Sequence, residues 1–401
     1  MADTVEEDQP LTPAGRLFLQ PLMNQVINCA LGSDYPIDLG CVKTQIQNSI
    51  MLKHPRFCSL MVRDSSGREH WRKTQVDVDR HLIIHHHSLS NDPSISDEDA
   101  INDYMADLSF SSPLPTDKPL WEIHVLAAHK AVVFRVHHAL GDGISLMSML
   151  LSCCRKVDDP AQLPTIGGVG AASLVPRRWN VWTLMKVVWF TLVSILEFVL
   201  RLLWLRDKTT VLSGGSGVEL WPRQLATARF RLDDMKTVKR ALADSLCKRG
   251  PNHRIGHGKF EATVRTAVCE ESQSNDPQEK AFVGGRYHIH SWIGSLPSLA
   301  LSFLNYRIVC NTTFTISNIV GPREQITLAG HPVKFIRVTS SSLPHAITMH
   351  MLSYAGVADM QILVAKEVIP DPKVLAKCFE DALLEMKQAA EAAMKSQGSC
   401  Q

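Results

Sequence analysis

The sequence predicts an α/β fold of two subdomains, each a mixed β-sheet flanked by helices. Its 401 residues can bury a large core and exceed the usual size of one compact unit. Apolar residues at 45% and charged residues at 20% describe a globular chain rather than a disordered one. Short β-rich apolar runs alternate with helical periods of three and four residues along most of the chain.

From the N-terminus, residues 12–31 and 37–52 read as amphipathic helices; in the second, Leu39, Val42, Ile46 and Ile50 recur at helical steps. Cys58 to Val62 and Trp71 to Val78 read as strands joined by a turn around Ser65-Ser66-Gly67. His85-His86-His87 suggests a metal cluster, but consecutive histidines cannot all face one ion, so a solvated loop is expected. Ser96, followed by Asp97, Glu98 and Asp99, caps a helix whose dipole the acids complement. Trp121 to Leu126 and Val132 to Val136 are paired strand candidates, and the helix from Ile144 to Leu151 is apolar on nearly all sides, hence buried. Farther on, Leu225 to Leu232, Phe314 to Asn318, Val333 to Val338 and Met360 to Val364 read as strands. Asp233 starts one helix, and Pro372 starts another with a core-facing stripe.

Composition narrows the function classes. A formal net charge of +2 with no basic domain or tail argues against nucleic acid as a partner. Ten scattered cysteines, with Cys153-Cys154 adjacent and no CxxC pair, suggest reduced thiols facing the cytosol. The acidic start, Met1 to Asp8, has neither the basic nor the apolar region of a secretory signal.

The chain is organised around Val132 to Gly143, where an apolar strand ends at His137-His138 and a Gly-bounded loop leads into a helix. A strand can hold a terminal histidine rigidly as a general base. Gly141 and Gly143 are expected to supply backbone angles closed to other residues. Asp142, four residues from His138, can fix the loop. Two histidines capping a buried strand would produce the same pattern without chemistry.

His137-His138-Ala139-Leu140-Gly141-Asp142-Gly143 resembles the HHxxxDG signature of the wax ester synthase/diacylglycerol acyltransferase family, in particular its plant branch. Pro10 to Pro13 with Arg16 to Phe18, Pro119 to His124, Thr210 to Gly215, Val218 to Pro222, Asn311 to Phe314, Ser317 to Pro322 and Val368 to Pro372 extend the resemblance. It implies a CoA-dependent acyltransferase fold, similar to chloramphenicol acetyltransferase, with the site in a channel between the subdomains. It also implies O-acyl transfer from long-chain acyl-CoA to a fatty alcohol or diacylglycerol. By resemblance His138 is the general base and Asp142 organises the loop. His137 packs or orients, Gly141 and Gly143 support the motif, and Ser317 and Asn318 are candidates for contacts to CoA or the oxyanion. Strand-end residues bonding their own turn would explain Ser317 and Asn318 as well. Acyl-CoA is then a co-substrate, and no metal or other cofactor is required. The implied location is the cytosolic face of the endoplasmic reticulum membrane, with the plasma membrane as a second site.

From Val181 to Leu205 the chain is overwhelmingly apolar and carries Trp182, Trp189 and Trp204. About 20 such residues can cross a bilayer, but Lys186, Glu197 and Arg201 interrupt the run. At about 100° per residue Glu197 falls about 20°, and Arg201 about 60°, from Lys186, so the charges share one stripe. That pattern predicts a helix lying in a membrane interface rather than spanning it. The expected division is 1–176 for the N-terminal subdomain, 177–208 for the membrane-associated helix and 209–401 for the C-terminal subdomain. Residues 248–287 lack any sustained period and read as loop, where the family would carry patterned elements. His288-Ile289-His290 reads as incidental. The shortened middle motivates an alternative, a catalytically impaired lipid-binding or regulatory form.

Overall fold

The computed structural model describes residues 8–398 apart from 112, 167–180, 205–206, 209, 216, 250–297 and 342–343. The first half contains β1 (Gln9–Pro10), α1 (Pro13–Phe18), β2 (Val26–Ser33), α2 (Leu39–Asn48), β3 (Ser59–Arg63), β4 (Glu69–Lys73), β5 (Leu82–His85) and α3 (Asp97–Ser111). Next come β6 (Trp121–Leu126), β7 (Ala131–His137), α4 (Gly143–Ser152), β8 (Arg155–Lys156) and α5 (Val181–Leu203). The second half contains β9 (Arg223–Arg231), α6 (Leu232–Arg249), α7 (Ser298–Cys310), β10 (Thr315–Val320), β11 (Ile326–Leu328), β12 (His331–Ser340), β13 (Ile347–Tyr354), β14 (Val357–Ala365) and α8 (Pro372–Gly398).

Two mixed sheets dominate. One has the order β5-β6-β7-β2-β12-β11-β8, the other β10-β13-β14-β9, and β1-β4-β3 forms a small third sheet. Alternation along each strand sends successive side chains to opposite faces. One face of the seven-stranded sheet, with Cys29, Leu31, Val132 and Phe134, packs on Val42 and Ile46 of α2 and Leu146 and Leu150 of α4. Its other face, with Ala30, Ala131 and Val133, meets Ile101 and Met105 of α3 and Leu225 and Leu363 of the second sheet. The far face of that second sheet, with Ala226, Met349 and Ile362, packs on Met235 of α6 and Phe379 of α8. The two sheets therefore face one another with α3 wedged between them.

Several sequence expectations change. Residues 12–31 do not form one helix: α1 is short, and Val26–Ser33 is a central strand. β2 is hydrogen-bonded on both sides, to β7 and β12; burial on both faces gives a continuous apolar run rather than a strand's alternation. His85 is no loop residue either, because it ends β5 and its Nε2 meets Tyr104 Oη at 2.9 Å. α4 buries Leu146, Met147, Leu150 and Leu151 but leaves Ile144 exposed. β11 and β12 join the sheet built from the first half, so the sheets do not divide the chain at residue 208. Nearly all of 248–287, and all of His288-Ile289-His290, lies outside the described residues.

α5 packs against α7 and turns its apolar side outward. Trp182, Trp189 and Trp204 are 62%, 64% and 72% exposed, and Leu192 and Leu196 are more than half exposed. Lys186 and Glu197, by contrast, are half-buried. Among the described residues no helix is long and apolar enough to cross a membrane.

Candidate active site

β7 delivers the site. It is buried along its whole length, and beyond its end the His138 N–H donates to the Gln25 carbonyl at 2.9 Å. One 3-10 turn follows, His138–Leu140, and Asp142 then caps α4, with Oδ1 accepting from the Ser145 N–H at 2.8 Å. The carboxylate therefore sits at the positive end of the helix dipole.

Each histidine has a different environment. His137 is buried, its Nδ1 accepts from the Ala139 N–H at 3.1 Å, and its Nε2 donates to Asn24 Oδ1 at 2.7 Å. Both ring nitrogens are thus committed to holding the turn, and burial, with His138 nearby, holds the pKa down at about 4. His138 lies flat against Phe18, the last residue of α1, with 3.9 Å between ring centroids and 24° between planes. Its Nδ1 is buried without a hydrogen-bond partner. Burial lowers the His138 pKa, against the pull of its own main-chain carbonyl and of the Asp142 carboxylate. The imidazole is accordingly neutral near pH 7 and able to take up a proton.

Burial disfavours the Asp142 carboxylate, but the Ser145 main-chain N–H and hydroxyl, His138 and Arg56 more than offset it, leaving the pKa below the ordinary value. Arg56 also braces the loop, with Nη1 donating to the Leu140 carbonyl at 3.2 Å. The glycines act differently from the expectation. Neither lies in the left-handed region, and Gly141 at φ 178° is simply extended. What Gly141 supplies is space, because a Cβ there would lie 3.2 Å from Ser145 Cβ. Gly143 faces the second sheet, where a Cβ would come within 3.8 Å of Ile319.

The second sheet separates the remaining candidates. Ser317 pairs with His350 and Asn318 with Met351 in the parallel ladder of β10 and β13. Met351 and Ile316 pack into the core beneath α6 and α8. Asn318 therefore shares the helix-covered face, whereas Ser317 shares a face with His350 and Ile319, toward the HHxxxDG loop. His350 is buried, and burial together with His138 holds its pKa down at about 4. Sequence reasoning missed Phe18, Asn24, Arg56 and His350. Only His350 left a signal, the alternation Thr348, His350 between Ile347, Met349 and Met351. Among the described residues no group of three or more histidine, cysteine or acidic side chains is placed to hold a metal ion.

Two descriptions from one family match the chain: the wax ester synthase/diacylglycerol acyltransferase catalytic domain over residues 53–213 and the WS/DGAT C-terminal domain over residues 281–387. Wax ester synthase/diacylglycerol acyltransferase 11 of Arabidopsis thaliana is 28% identical, covering 96% of this chain and 96% of that protein. Number 5 of the same series is 27% identical over 95% and 94%. The first of these alignments runs over 474 residues, more than the 401 present here, so that relative carries segments without a counterpart in this chain. In three dimensions the chain resembles the wax ester synthase/diacylglycerol acyltransferase from Marinobacter aquaeolei VT8, with a TM-score of 0.53 at 16% identity over 96% of this chain and all of that one. The first condensation domain of the CDA synthetase matches with a TM-score of 0.52 at 14% identity over 96% and 97%. At these identities the structural matches speak to the fold.

Proposed function

This chain belongs to the wax ester synthase/diacylglycerol acyltransferase family, and from that premise we propose that it transfers a long-chain acyl group from acyl-CoA to the hydroxyl of a fatty alcohol or diacylglycerol. The observation that carries the proposal is His138: an imidazole at a strand end, biased to its neutral form by burial and facing a second sheet across the seam. Neutral His138 takes the hydroxyl proton as the alcohol oxygen attacks the thioester carbonyl carbon. The resulting tetrahedral oxyanion collapses, the C–S bond breaks, and the CoA thiolate leaves with the proton from His138. Such a base contributes about 10²–10⁴-fold in rate. Asp142 holds the turn, and Ser317, on the face toward the loop, is the polar group assigned to CoA or the oxyanion. Acyl-CoA is a co-substrate; the scheme needs no resident cofactor.

The outward apolar face of α5 supports docking on a membrane surface, because contiguous exposed apolar patches of this kind mark interaction sites and both substrates partition into lipid. We place the enzyme on the cytosolic face of the endoplasmic reticulum membrane, with the plasma membrane as a second location. The test is transfer from palmitoyl-CoA to hexadecanol and to dioleoylglycerol by membranes expressing the chain, beside His138→Ala. Product that disappears in the variant supports the proposal. No product from folded, membrane-bound protein would sink it and leave the impaired lipid-binding form.

A further inference from the structure

None of the described side chains of α7 is buried, so apolar packing does little to fix that helix. Polar bonds at its C-terminal end hold it instead. His345, buried just before β13, donates from Nε2 to the Val309 carbonyl at 3.0 Å, and its Nδ1 accepts from the Thr315 hydroxyl at 3.1 Å. The same end is tied to the chain leaving α5. There the Asp207 N–H donates to the Asn311 carbonyl at 2.9 Å, and Asp207 Oδ2 accepts from the Thr313 N–H at 3.1 Å and hydroxyl at 3.0 Å.

This pinned helix touches both the outward apolar surface and the cover of the base. It packs on α5 and adds exposed Phe303 to the exposed Trp182, Trp189 and Leu192 of that helix. It also packs on α1 and on the turn Pro21–Met23 just beyond it. α1 in turn packs on the His138–Leu140 turn, with half-buried Phe18 stacked on the His138 ring.

We propose that a membrane surface regulates the base through this linkage: docking of α5 and Phe303 together fixes α7, α7 seats α1, and Phe18 closes on His138. The proposal rests on the acyltransferase function above and names how that site is switched on. A ligand shifts a conformational equilibrium only by binding one state better than the other. Here the difference is Phe303. With α7 packed on α5, lipid takes Phe303 along with the tryptophans; with α7 swung about its pinned end, the two helices part and lipid contact shrinks. Membrane contact therefore favours the seated arrangement, in which Phe18 orients the imidazole and keeps water from one of its faces. The base is set where its lipid substrates are dissolved.

The experiment follows hydrogen–deuterium exchange at the imidazole carbon of His138 and at the amides of residues 13–20. It uses the full chain with and without dioleoylphosphatidylcholine vesicles, and no substrate. In wild type the vesicles slow His138 exchange at least about threefold, because exchange tracks the open population, and they protect α1. His81, buried before β5 and away from the site, is unchanged and serves as the internal control. Phe303→Glu, at an exposed position, keeps the melting temperature and co-sediments through α5 but loses the response at His138. Phe18→Ala co-sediments and shows no response either. Vesicle-bound wild type with unchanged His138 exchange overturns the proposal, as does a response that survives Phe303→Glu or Phe18→Ala. Wild type that does not bind the vesicles overturns it too. Turnover does not enter: a chain with the expected response but no acyl transfer sinks the acyltransferase function and leaves the coupling standing.

Discussion

The Phe18 ring covers one face of the His138 imidazole, 3.9 Å centroid to centroid. α1 thereby touches the proposed base, and the close approach is reinforced at Gly15, where a Cβ would lie 3.2 Å from the Ala139 carbonyl. Two consequences follow for the base, one of orientation and one of hydration. Phe18→Ala frees the ring and admits water, so the His138 pKa rises toward its ordinary value. We expect kcat/KM to fall about 10- to 100-fold and the acid limb of the pH–rate profile to move to higher pH. A limb that stays in place would show that Phe18 does not set the hydration of the base.

Asp142 combines a cap and a charge, and substitutions separate the two. Asp142→Ala removes the cap of α4 and costs about 1 kcal/mol, together with the geometry of the loop. Asp142→Asn keeps a good cap but loses the carboxylate that raises the His138 pKa. Urea denaturation should find the asparagine variant near wild type and the alanine variant weakened, with activity following the same order.

His81, His137 and His350 are each held at about pKa 4 mainly by burial. A histidine whose folded pKa lies below its unfolded value of about 6.5 contributes stability that is fully present above pH 6.5. That contribution drains away as pH falls toward 4, because the unfolded chain binds the proton first. Each adds at most about 1.4 kcal/mol per pH unit to the slope in that window. Denaturation midpoints between pH 7.5 and 4.5 should fall steeply, and His81→Asn, away from the site, should flatten the fall.

Gly321 directly follows β10, and a Cβ there would strike the main-chain carbonyl of Ser353, whose oxygen accepts the Gly321 N–H at 3.0 Å. Gly321→Ala has to push β10 away from β13 and should cost about 1–3 kcal/mol. Because Ser317 rides on β10, acyl transfer should suffer along with melting temperature.

The face of α5 can be tested without disturbing the core, since Trp189 and Leu192 are exposed. Trp189→Glu/Leu192→Glu should abolish co-sedimentation with phospholipid vesicles while leaving the melting temperature near wild type. Vesicle binding that survives both charges would contradict docking through this helix.

Local chemistry made much of the chain legible. The strand ending in His137-His138, the cap at Asp142, the helix begun at Ser96 and the long stripe of α8 all follow from neighbours within a few residues. The character of α5 could likewise be read from one helical turn to the next, because its charges share one stripe.

What the sequence determined by itself was the chemistry available, a histidine at a strand end, a capping acid and an apolar helix, since each depends on local spacing. Tertiary structure decided which side chains meet. β2 reads as helix until β7 and β12 flank it, Ser317 and Asn318 look equivalent until the register with β13 sends them to opposite faces, and His350 is one more polar residue until the two sheets close around it. The physical reason is that pairing register and sheet-on-sheet contact join residues hundreds of positions apart, as Gln25 and Ser340 are joined beside His138, and no local pattern encodes that meeting.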